Sequence, residues 1–392
     1  MAPFDFDRIV KREGTDSYKW DGMDRIYGRK DLIPMWVADM DFPAPASVLD
    51  ALKKRVEHGI YGYSVRSSTY NSAIRNWLKT RHGWEVDESW IVHAPGVVPA
   101  MALAVNTFTE PGDPVLLQSP VYPPFFDIVR KNGRNVVNCP LVYSHDGYRI
   151  DFDEVERKLK NGVKLFLLCN PHNPVGRAWK RAELEQLSAL CSRYGTIVIS
   201  DEIHGDWVFE PNRHIPWATV SEEAAMNSVI CMAPSKTFNL AGLHTAFLVI
   251  PNRNLRLSME NAIHRFALHS QNALSLVAAE AAYESGGEWL DALKHYVRGN
   301  MHEILKVFQQ DGRVHATLPE ATYLMWLDFR QTGLEGARLR RWMVEEARVG
   351  MNEGRTFGEG GEGFLRLNAA SPRPLVHQAL NRIEAALKRL KS

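Results

Sequence analysis

Residues 228–239 read SVICMAPSKTFN, and the rest of the chain is best interpreted outward from them. The first six are apolar or small, which is typical of a buried strand. A proline and two hydroxyl residues then surround Lys236, in a segment too polar to continue that strand. A lysine that is desolvated at the end of a buried strand has a lowered pKa and becomes nucleophilic. The alternative is a solvated lysine on a surface loop. Only partner residues from other segments of the chain would favour the nucleophile.

The composition is that of an ordinary globular protein. Of the 392 residues, 45% are hydrophobic and 24% are charged, and the formal net charge is +1. No overall field attracts nucleic acid or an anionic membrane. No apolar run approaches the roughly 18 residues of a membrane-spanning helix. We therefore expect neither nucleic acid nor a membrane as a partner.

The four cysteines are far apart and form no C-x-x-C motif. Cys169 and Cys231 fall within apolar, strand-like runs. Residues 1–7 carry charges where a signal peptide has its apolar stretch. These features predict buried free thiols and a cytoplasmic protein.

Strand patterns alternate with helical patterns through most of the chain, which predicts an α/β fold with a mainly parallel sheet. The predicted strands are 90–94, 114–118, 163–169, 196–200, 228–233 and 246–250. After a helical region at 255–310, strands at 322–328 and 364–368 alternate with helices at 337–346 and 374–391, which predicts a smaller α+β domain. The predicted division is an amino-terminal arm with part of the small domain (1–48), a large domain (49–285) and a small carboxyl-terminal domain (286–392).

Five residues that could bind a ligand or take part in a reaction lie just past the carboxyl ends of predicted strands. They are Gly96, Tyr122, Asn173, Asp201 and Lys236. Ligands bind outside the carboxyl ends of the strands in such sheets. The sequence therefore predicts that five loops converge on one site.

Three of these residues suit a carbonyl cofactor with a pyridine ring. Lys236 can bind the carbonyl as an imine. Asp201, a carboxylate at a strand end, can keep the ring nitrogen protonated, and Asn173 can donate to a ring oxygen. A turn cap is the ordinary alternative for Asp201. Asp201, Glu202 and His204 also suggest a metal, but the chain has no metal-ligand spacing such as H-E-x-x-H, so we expect none.

The remaining groups suit a phosphate and a carboxylate. A glycine turn at 95–99 opens an apolar helix, so the backbone N–H groups near Val97 and Val98, with the Ser235 hydroxyl, are candidates for binding a phosphate. Arg366 lies on a strand of the predicted small domain and can bind a substrate carboxylate in bidentate fashion. A structural ion pair is its alternative role. The segment 34–42 is apolar but carries two acids, so it is either an arm packed across the body or the border of a ligand site.

The sequence resembles the pyridoxal-phosphate (PLP) enzymes of the aminotransferase fold. More narrowly, it resembles their cystathionine β-lyase and cysteine-S-conjugate β-lyase branch, the MalY/PatB type. The resemblance covers essentially the whole chain, and its most specific motifs are Lys19-Trp20-Asp21, 36–42, Gly62-Tyr63, 170–176, 200–204, 234–239 and Arg366-Leu367-Asn368. It departs at Pro123, where some relatives carry a second tyrosine.

The resemblance implies a three-layer αβα PLP-dependent transferase-like large domain and a homodimer with shared active sites. It implies that Lys236 carries the cofactor and is catalytic, and that Tyr63 reaches the phosphate in the neighbouring subunit. The other implied cofactor-binding residues are Val97, Val98, Tyr122 (stacked on the ring), Asn173, Asp201, His204 and Ser235. Arg366 and Trp36 are the implied substrate-binding residues.

The implied activity is α,β-elimination of cystathionine or a related cysteine S-conjugate, which yields a thiol, pyruvate and ammonia. An aminotransferase of class I/II uses the same residues and differs in where the carbanion is reprotonated, so the sequence leaves that alternative open. A PLP-binding regulator is a further alternative, but no additional DNA-binding domain or basic tail supports it. The physiological sulfur amino acid is not specified by the sequence.

Overall fold

Lys236 follows a strand in the interior of the larger of two main sheets. The computed structural model describes residues 4–144 and 147–390. The strands there are β1 Ile33–Pro34, β2 Ile91–Ala94, β3 Pro114–Leu117, β4 Asn135–Asn138, β5 Val142–Ser144, β6 Gly147–Arg149, β7 Leu165–Cys169, β8 Ile197–Asp201, β9 Ser228–Met232, β10 Ala246–Val249, β11 His315–Ala316, β12 Leu324–Asp328, β13 Val349–Gly350, β14 Asn352–Glu353 and β15 Phe364–Asn368.

Helices alternate with these strands. They are α1 Met23–Tyr27, α2 Ala46–His58, α3 Tyr70–His82, α4 Val97–Phe108, α5 Pro124–Lys131, α6 Phe152–Lys160, α7 Arg181–Arg193, α8 Glu222–Met226, α9 Pro234–Thr237, α10 Arg253–Arg265, α11 Ala273–Ser285, α12 Gly287–Asp311, α13 Gly336–Trp342 and α14 Arg373–Arg389.

The larger sheet has seven strands in the order β2-β10-β9-β8-β7-β3-β4. Neighbours from β9 to β4 run parallel, whereas β10 is antiparallel to both β2 and β9. Successive residues of β7 contribute to different apolar clusters: Leu167 belongs to the one with α4, and Leu168 to the other. Because successive side chains of a strand point to opposite faces, both faces of the sheet are covered. The predicted α/β fold with a mainly parallel sheet is confirmed.

The smaller sheet is antiparallel, in the order β11-β12-β15-β14. Its register places Arg366 of β15 between Trp326 and Asn352. The short strand β1 pairs with β13, which attaches the amino-terminal segment to this part of the chain. The domain boundaries near residues 48 and 285 stay predictions.

The region between residues 118 and 163 contains more regular structure than the sequence predicted. Helix α5 begins at Pro124, two residues after Tyr122. Proline is favoured in the first turn of a helix, because an N–H group at that position would have no acceptor within the helix. Strand β4, the β5–β6 hairpin and α6 were also not predicted, since they are short or only partly buried.

The four cysteines are buried and free, as predicted. In the described ranges, no helix combines the length and the apolar character needed to cross a bilayer.

Candidate active site

A cavity of about 330 Å³ lies beyond the carboxyl ends of the central strands. All five of the predicted strand-end residues line it: Gly96, Tyr122, Asn173, Asp201 and Lys236. Four further predicted residues, Val97, Val98, His204 and Ser235, line the same cavity. The structure therefore brings together nine residues from loops that are far apart in the sequence.

Lys236 is held at the cavity by a short helix. Strand β9 is completely buried, and Pro234 then begins α9, whose single turn carries the lysine. The Trp207 indole N–H donates to the Lys236 carbonyl at 2.7 Å, and the Lys236 ammonium donates to the Ala38 carbonyl at 2.6 Å. Burial, reinforced by the charge of Arg366, lowers the pKa of Lys236 to about 8. An amine with this pKa is neutral in a substantial fraction of molecules near neutral pH.

Asp201 ends β8 and lies between two apolar neighbours. The sheet register pairs it with Cys169 on one side and Cys231 on the other. Burial raises the pKa of Asp201 to about 7. Its Oδ1 accepts a hydrogen bond from the Ile203 N–H at 3.1 Å, and no described residue donates to Oδ2. This carboxyl group suits a ligand that brings its own N–H donor.

Arg366 is buried and contacts Asn173 across the boundary between the two sheets. Its guanidinium donates to the Asn173 side-chain oxygen at 3.1 Å, to the Trp36 carbonyl at 3.0 Å and to the Asn352 side-chain oxygen at 2.7 Å. It also lies 5.0 Å from the centre of the Phe357 ring. The buried Nε has no partner among the described residues. Burial lowers the pKa of Arg366 to about 10, so the group stays positive at neutral pH.

The bond to Asn173 also orients that amide. With its oxygen facing Arg366, Asn173 has its side-chain NH₂ available as a donor to the cavity. The Asn173 carbonyl accepts from the Tyr122 N–H at 3.1 Å, which joins the two loops. Tyr122 is half-buried at the cavity wall, where its ring is available for stacking.

The segment 36–42 is fixed by two asparagines. The Asn239 amide donates to the carbonyls of Met40 and Phe42, and Asn239 adopts a left-handed backbone (φ 60°) that asparagine tolerates better than most residues. The Asn368 amide donates to two further carbonyls of the segment, both at 2.6 Å. The segment therefore borders the cavity, where the Ala38 carbonyl meets Lys236.

The two acids of this segment, Asp39 and Asp41, form ion pairs with the amino-terminal part of the chain. Asp41 accepts from Lys19 at 2.7 Å and from Arg12 at 2.7 Å, and Asp39 pairs with Arg12 at 2.9 Å. These bonds hold the amino-terminal arm on the body of the protein. Both interpretations of the segment thus describe part of it.

Three predicted residues do not line the cavity: Arg366, which contacts the lining residue Asn173, and also Trp36 and Tyr63. The Trp36 ring packs between Tyr18 and Tyr27, with ring centres 5.0 and 5.6 Å away, and only its carbonyl faces Arg366. Tyr63 is fully exposed, in a segment that forms neither helix nor strand. Among the described residues, no hydrogen bond or ring contact connects Tyr63 to Lys236.

The sequence did not single out Tyr323, whose hydroxyl donates at 2.8 Å to the Ala38 carbonyl that also accepts from Lys236. Tyr323 stands 285 positions from Ala38, and no local pattern distinguishes it from a core tyrosine. The ring of His204 lies against Tyr323, 6.0 Å between centres, and its buried Nδ1 has no described partner. Burial keeps the pKa of His204 well below its ordinary value, so this imidazole is neutral.

Comparison with known proteins identifies the family of this chain. Residues 30–383 match the family described as aminotransferase class I and II. Cystathionine beta-lyase PatB of Bacillus subtilis is 45% identical over 97% of this chain and 99% of its own length, and protein MalY of Escherichia coli is 35% identical over 96% and 97%. Cystalysin from Treponema denticola, whose structure contains PLP, superimposes with a TM-score of 0.95 at 34% identity over 99% of this chain and 100% of that one. The chain belongs to the class I and II aminotransferase family and, within it, to the branch of PatB and MalY.

Proposed function

We propose that this protein is a PLP-dependent carbon–sulfur β-lyase that cleaves cystathionine or a related cysteine S-conjugate. The products are a thiol (homocysteine from cystathionine), pyruvate and ammonia. The observation that carries the proposal is that Lys236, Asp201 and Asn173 share one cavity with a buried arginine at its side. The relative PatB, named a cystathionine beta-lyase, supports the choice of reaction.

The cavity fits PLP on chemical grounds. The unpartnered Oδ2 of Asp201 suits a protonated ring nitrogen, and the free amide N–H groups of Asn173 suit the ring oxygen. The start of α4 at Val97 and Val98 has backbone N–H groups without helical acceptors, which suits the phosphate together with the Ser235 hydroxyl. When bound, PLP supplies an aldehyde for the amine and a ring that accepts electrons from the α-carbon.

Arg366 provides the binding site for the substrate carboxylate. It is a buried cation whose described hydrogen-bond acceptors are all neutral oxygens, and its Nε has none. A buried charge without a counter-ion is costly, so a carboxylate that pairs with it is bound strongly. An α-amino acid held there presents its amine and α-hydrogen toward the cavity that Lys236 lines.

Lys236 has two functions in this scheme. Its lowered pKa leaves it able to act first as the amine to which the cofactor is attached. Once the substrate amine takes its place, the freed Lys236 amine removes the α-proton as a general base. Loss of the sulfur group from Cβ as a thiolate completes the elimination, and hydrolysis of the remaining product yields pyruvate and ammonia.

The proposal is tested by giving the purified protein L-cystathionine without any keto acid. We expect sustained release of pyruvate and homocysteine in equal amounts. Turnover that starts only when a keto acid is added, with no pyruvate formed from cystathionine, would instead establish an aminotransferase. Cystine and cysteine assayed in parallel rank the sulfur substrates by kcat/KM.

We further propose a homodimer in which each subunit completes the site of the other. The segment around Tyr63 exposes several large apolar side chains to solvent in the single subunit: Ile60, Tyr61, Tyr63 and Val65. Such a run is unusual on the surface of a monomer and suits contact with a second subunit. In the dimer, Tyr63 donates its hydroxyl to the cofactor phosphate of the partner.

Mixing two inactive variants tests the shared sites. Random exchange of subunits between Lys236→Ala and Tyr63→Ala dimers makes half of the dimers hybrid, and each hybrid has one site without either substitution. We expect recovery of about one quarter of the wild-type activity. No recovery, despite exchange verified with differently tagged subunits, would show that Tyr63 acts in its own subunit, and full activity of Tyr63→Ala before mixing would show that Tyr63 has no role.

We also propose that the protein works in a reducing compartment, the cytoplasm. The four buried thiols are unpaired, and none needs oxidation to complete the fold. Recovery of activity in the cytosolic fraction of the native cells, rather than in a secreted fraction, is the expected result.

A further inference from the structure

Helix α9, which carries Lys236, is too short to fix its own position. It consists of the four residues Pro234–Thr237. A first helical turn orders several residues for a single hydrogen bond, so it is unfavourable by itself. In α9 that bond runs from the Phe238 N–H to the Pro234 carbonyl, at 2.9 Å. Contacts from outside the helix therefore determine where the lysine stands.

Two consecutive residues of another segment, Asp206 and Trp207, hold this turn. The Trp207 indole N–H donates to the Lys236 carbonyl at 2.7 Å. The Thr237 hydroxyl, which is buried, donates to Oδ2 of Asp206 at 2.6 Å. The first bond fixes the peptide group that follows Lys236, and the second fixes the side chain of the next residue. Together they restrict rotation of the turn on which the lysine stands.

Asp206 is itself held by helix α3. The Trp77 indole N–H donates to its Oδ1 at 3.0 Å, and Nε2 of His82 lies 3.0 Å from the same oxygen. The side chains of His82 and Asp206 are only 5% and 7% exposed. Burial raises the pKa of Asp206, but the hydrogen bonds from its neighbours, His82 first, outweigh burial and lower that pKa to about 2. The carboxylate is therefore ionised, and an ionised acceptor binds the Thr237 hydroxyl more strongly than a neutral one.

The contact between Asp206 and Thr237 lies behind the proposed active site. Asp206 lines a different cleft, between the end of α3 and α12. Neither Asp206 nor Thr237 lines the cavity that contains Lys236. The charges that shift the pKa of Lys236, after the larger effect of burial, are those of Arg366, Asp39 and Asp201. Asp206 thus reaches the lysine through hydrogen bonds and the backbone of α9.

We propose that Asp206 is a positioning residue: through the Thr237 hydroxyl it fixes α9 so that the freed Lys236 amine meets the α-hydrogen of the substrate. Lys236 is the general base in the proposed function, on which this inference rests. A base must lie within hydrogen-bonding reach of the proton that it removes, so a small displacement of α9 slows proton removal. Binding of substrate and cofactor changes little, because Asp206 and Thr237 lie outside the cavity.

The test uses a reaction that needs the base but no leaving group. PLP-loaded protein is incubated with L-alanine in deuterated water, and proton NMR follows the exchange of the α-hydrogen for deuterium. L-Alanine has no leaving group on Cβ, so exchange reports removal of the proton without elimination. A protein that exchanges L-alanine but forms no pyruvate from cystathionine would reject the proposed lyase activity and leave the role of Asp206 intact.

Variants of Thr237 isolate the hydrogen bond. Thr237→Val keeps the branched shape and removes the hydroxyl, so exchange at saturating L-alanine should fall about tenfold while half-saturation stays within about twofold of wild type. Thr237→Ser keeps the hydroxyl and should exchange within about twofold of wild type. The matched control is Thr196→Val, at a buried threonine whose hydroxyl donates to the Val163 carbonyl at 2.9 Å. It loses a comparable bond away from the cavity and should exchange like wild type.

Two results would overturn the proposal. One is exchange by Thr237→Val at the wild-type rate. The other is exchange by Thr237→Ser that is as slow as that of Thr237→Val, which would mean that the shape of the side chain matters and the hydroxyl does not. Circular dichroism and the visible absorbance of bound PLP show that each variant is folded and loaded before rates are compared. Thr237→Ala, which also lacks the hydroxyl, replaces Thr237→Val if the latter does not fold, with the same expected loss.

Discussion

The two halves of the proposed active site are built in different ways. The cofactor half comes from neighbouring strands of one sheet: β8 carries Asp201, and β9 leads into the turn with Lys236. The substrate half is Arg366, which comes from the smaller sheet and is held by acceptors from three separate segments. The positions of the cofactor-half residues follow from the ends of adjacent strands. The position of Arg366 depends on contacts between distant parts of the chain.

The electrostatics of the two halves differ as well. Asp201 and Lys236 have pKa values near 7 and 8, each moved toward neutrality by burial, and groups of that kind exchange protons readily. Arg366 stays charged and finds only neutral acceptors among the described residues. We therefore expect changes in the first half to lower kcat and changes in the second half to raise KM.

The largest effect is expected for Lys236→Ala. Losing both the attachment point and the general base should lower kcat by about 10³-fold or more and remove the visible absorbance of lysine-bound PLP. Steady-state pyruvate release measures the rate, with Lys306→Ala as the control lysine. A residual rate within about tenfold of wild type, or about 1.4 kcal/mol of barrier, would contradict the assignment.

The pH dependence of the cofactor-free protein is the next largest effect. The pKa of Asp201 is about 7 in the folded protein against an ordinary 3.8, so the fold prefers the protonated acid. The stability that this proton provides is complete below pH 4 and is lost as the pH rises to 7, by at most about 4 kcal/mol.

Urea unfolding of cofactor-free protein between pH 4 and 8 measures this loss. Asp201→Asn cannot ionise and should lose less stability over that interval than wild type does. Equal losses in the two proteins would mean that Asp201 is not the buried acid responsible. Lys236, with its lowered pKa of about 8, is half deprotonated at the upper end of this interval, so the two proteins are compared between pH 4 and 7.

Arg366→Ala tests the substrate half. The loss of a charge-assisted, bidentate contact should raise KM for cystathionine by about 10- to 100-fold, with a smaller change in kcat. Arg366→Lys keeps the charge but lacks the planar guanidinium, so its KM should lie between those of wild type and Arg366→Ala. Arg338→Ala, an exposed arginine of the same region, is the control. A decrease in kcat at unchanged KM would reverse the expected division between the halves.

The smallest effect is expected for Tyr323→Phe. Its hydroxyl shares the Ala38 carbonyl with Lys236, so removing it takes one hydrogen bond from the group that positions the amine. We expect kcat/KM to fall about fivefold, which corresponds to about 1 kcal/mol. Tyr194→Phe loses a comparable bond to Glu156 near the surface and should leave kcat/KM unchanged.

The cofactor half was largely predictable from the sequence. Buried strands are recognisable as short apolar runs, and their carboxyl ends meet at one edge of a parallel sheet, so Asp201 and Lys236 were expected to converge. The predicted strand ends differ from the observed ones by only one or two residues. The main omission is α9. This helix is a single turn that begins with a proline, and so short a polar segment shows no helical pattern in the sequence.

The substrate half was less predictable: the sequence offered Arg366 as a candidate for binding a carboxylate, but not the residues that Arg366 contacts. The contact between Arg366 and Asn173 joins positions 193 residues apart, and Tyr323 meets Ala38 across 285. Such contacts follow from the packing of the two sheets and not from any local pattern. The sequence also left the role of Asp39 and Asp41 open, because their partners are Arg12 and Lys19, which are more than 19 positions away.

The most direct test of the central claim, that the site is organised around Lys236, is borohydride reduction of the PLP-loaded protein. Borohydride converts the link between a lysine amine and an aldehyde into a stable secondary amine, and peptide mass spectrometry then locates it. We expect the modified lysine to be Lys236, and prior incubation with L-cystathionine to diminish the modification. Cofactor found on any other lysine, or none found on an active enzyme, would contradict it.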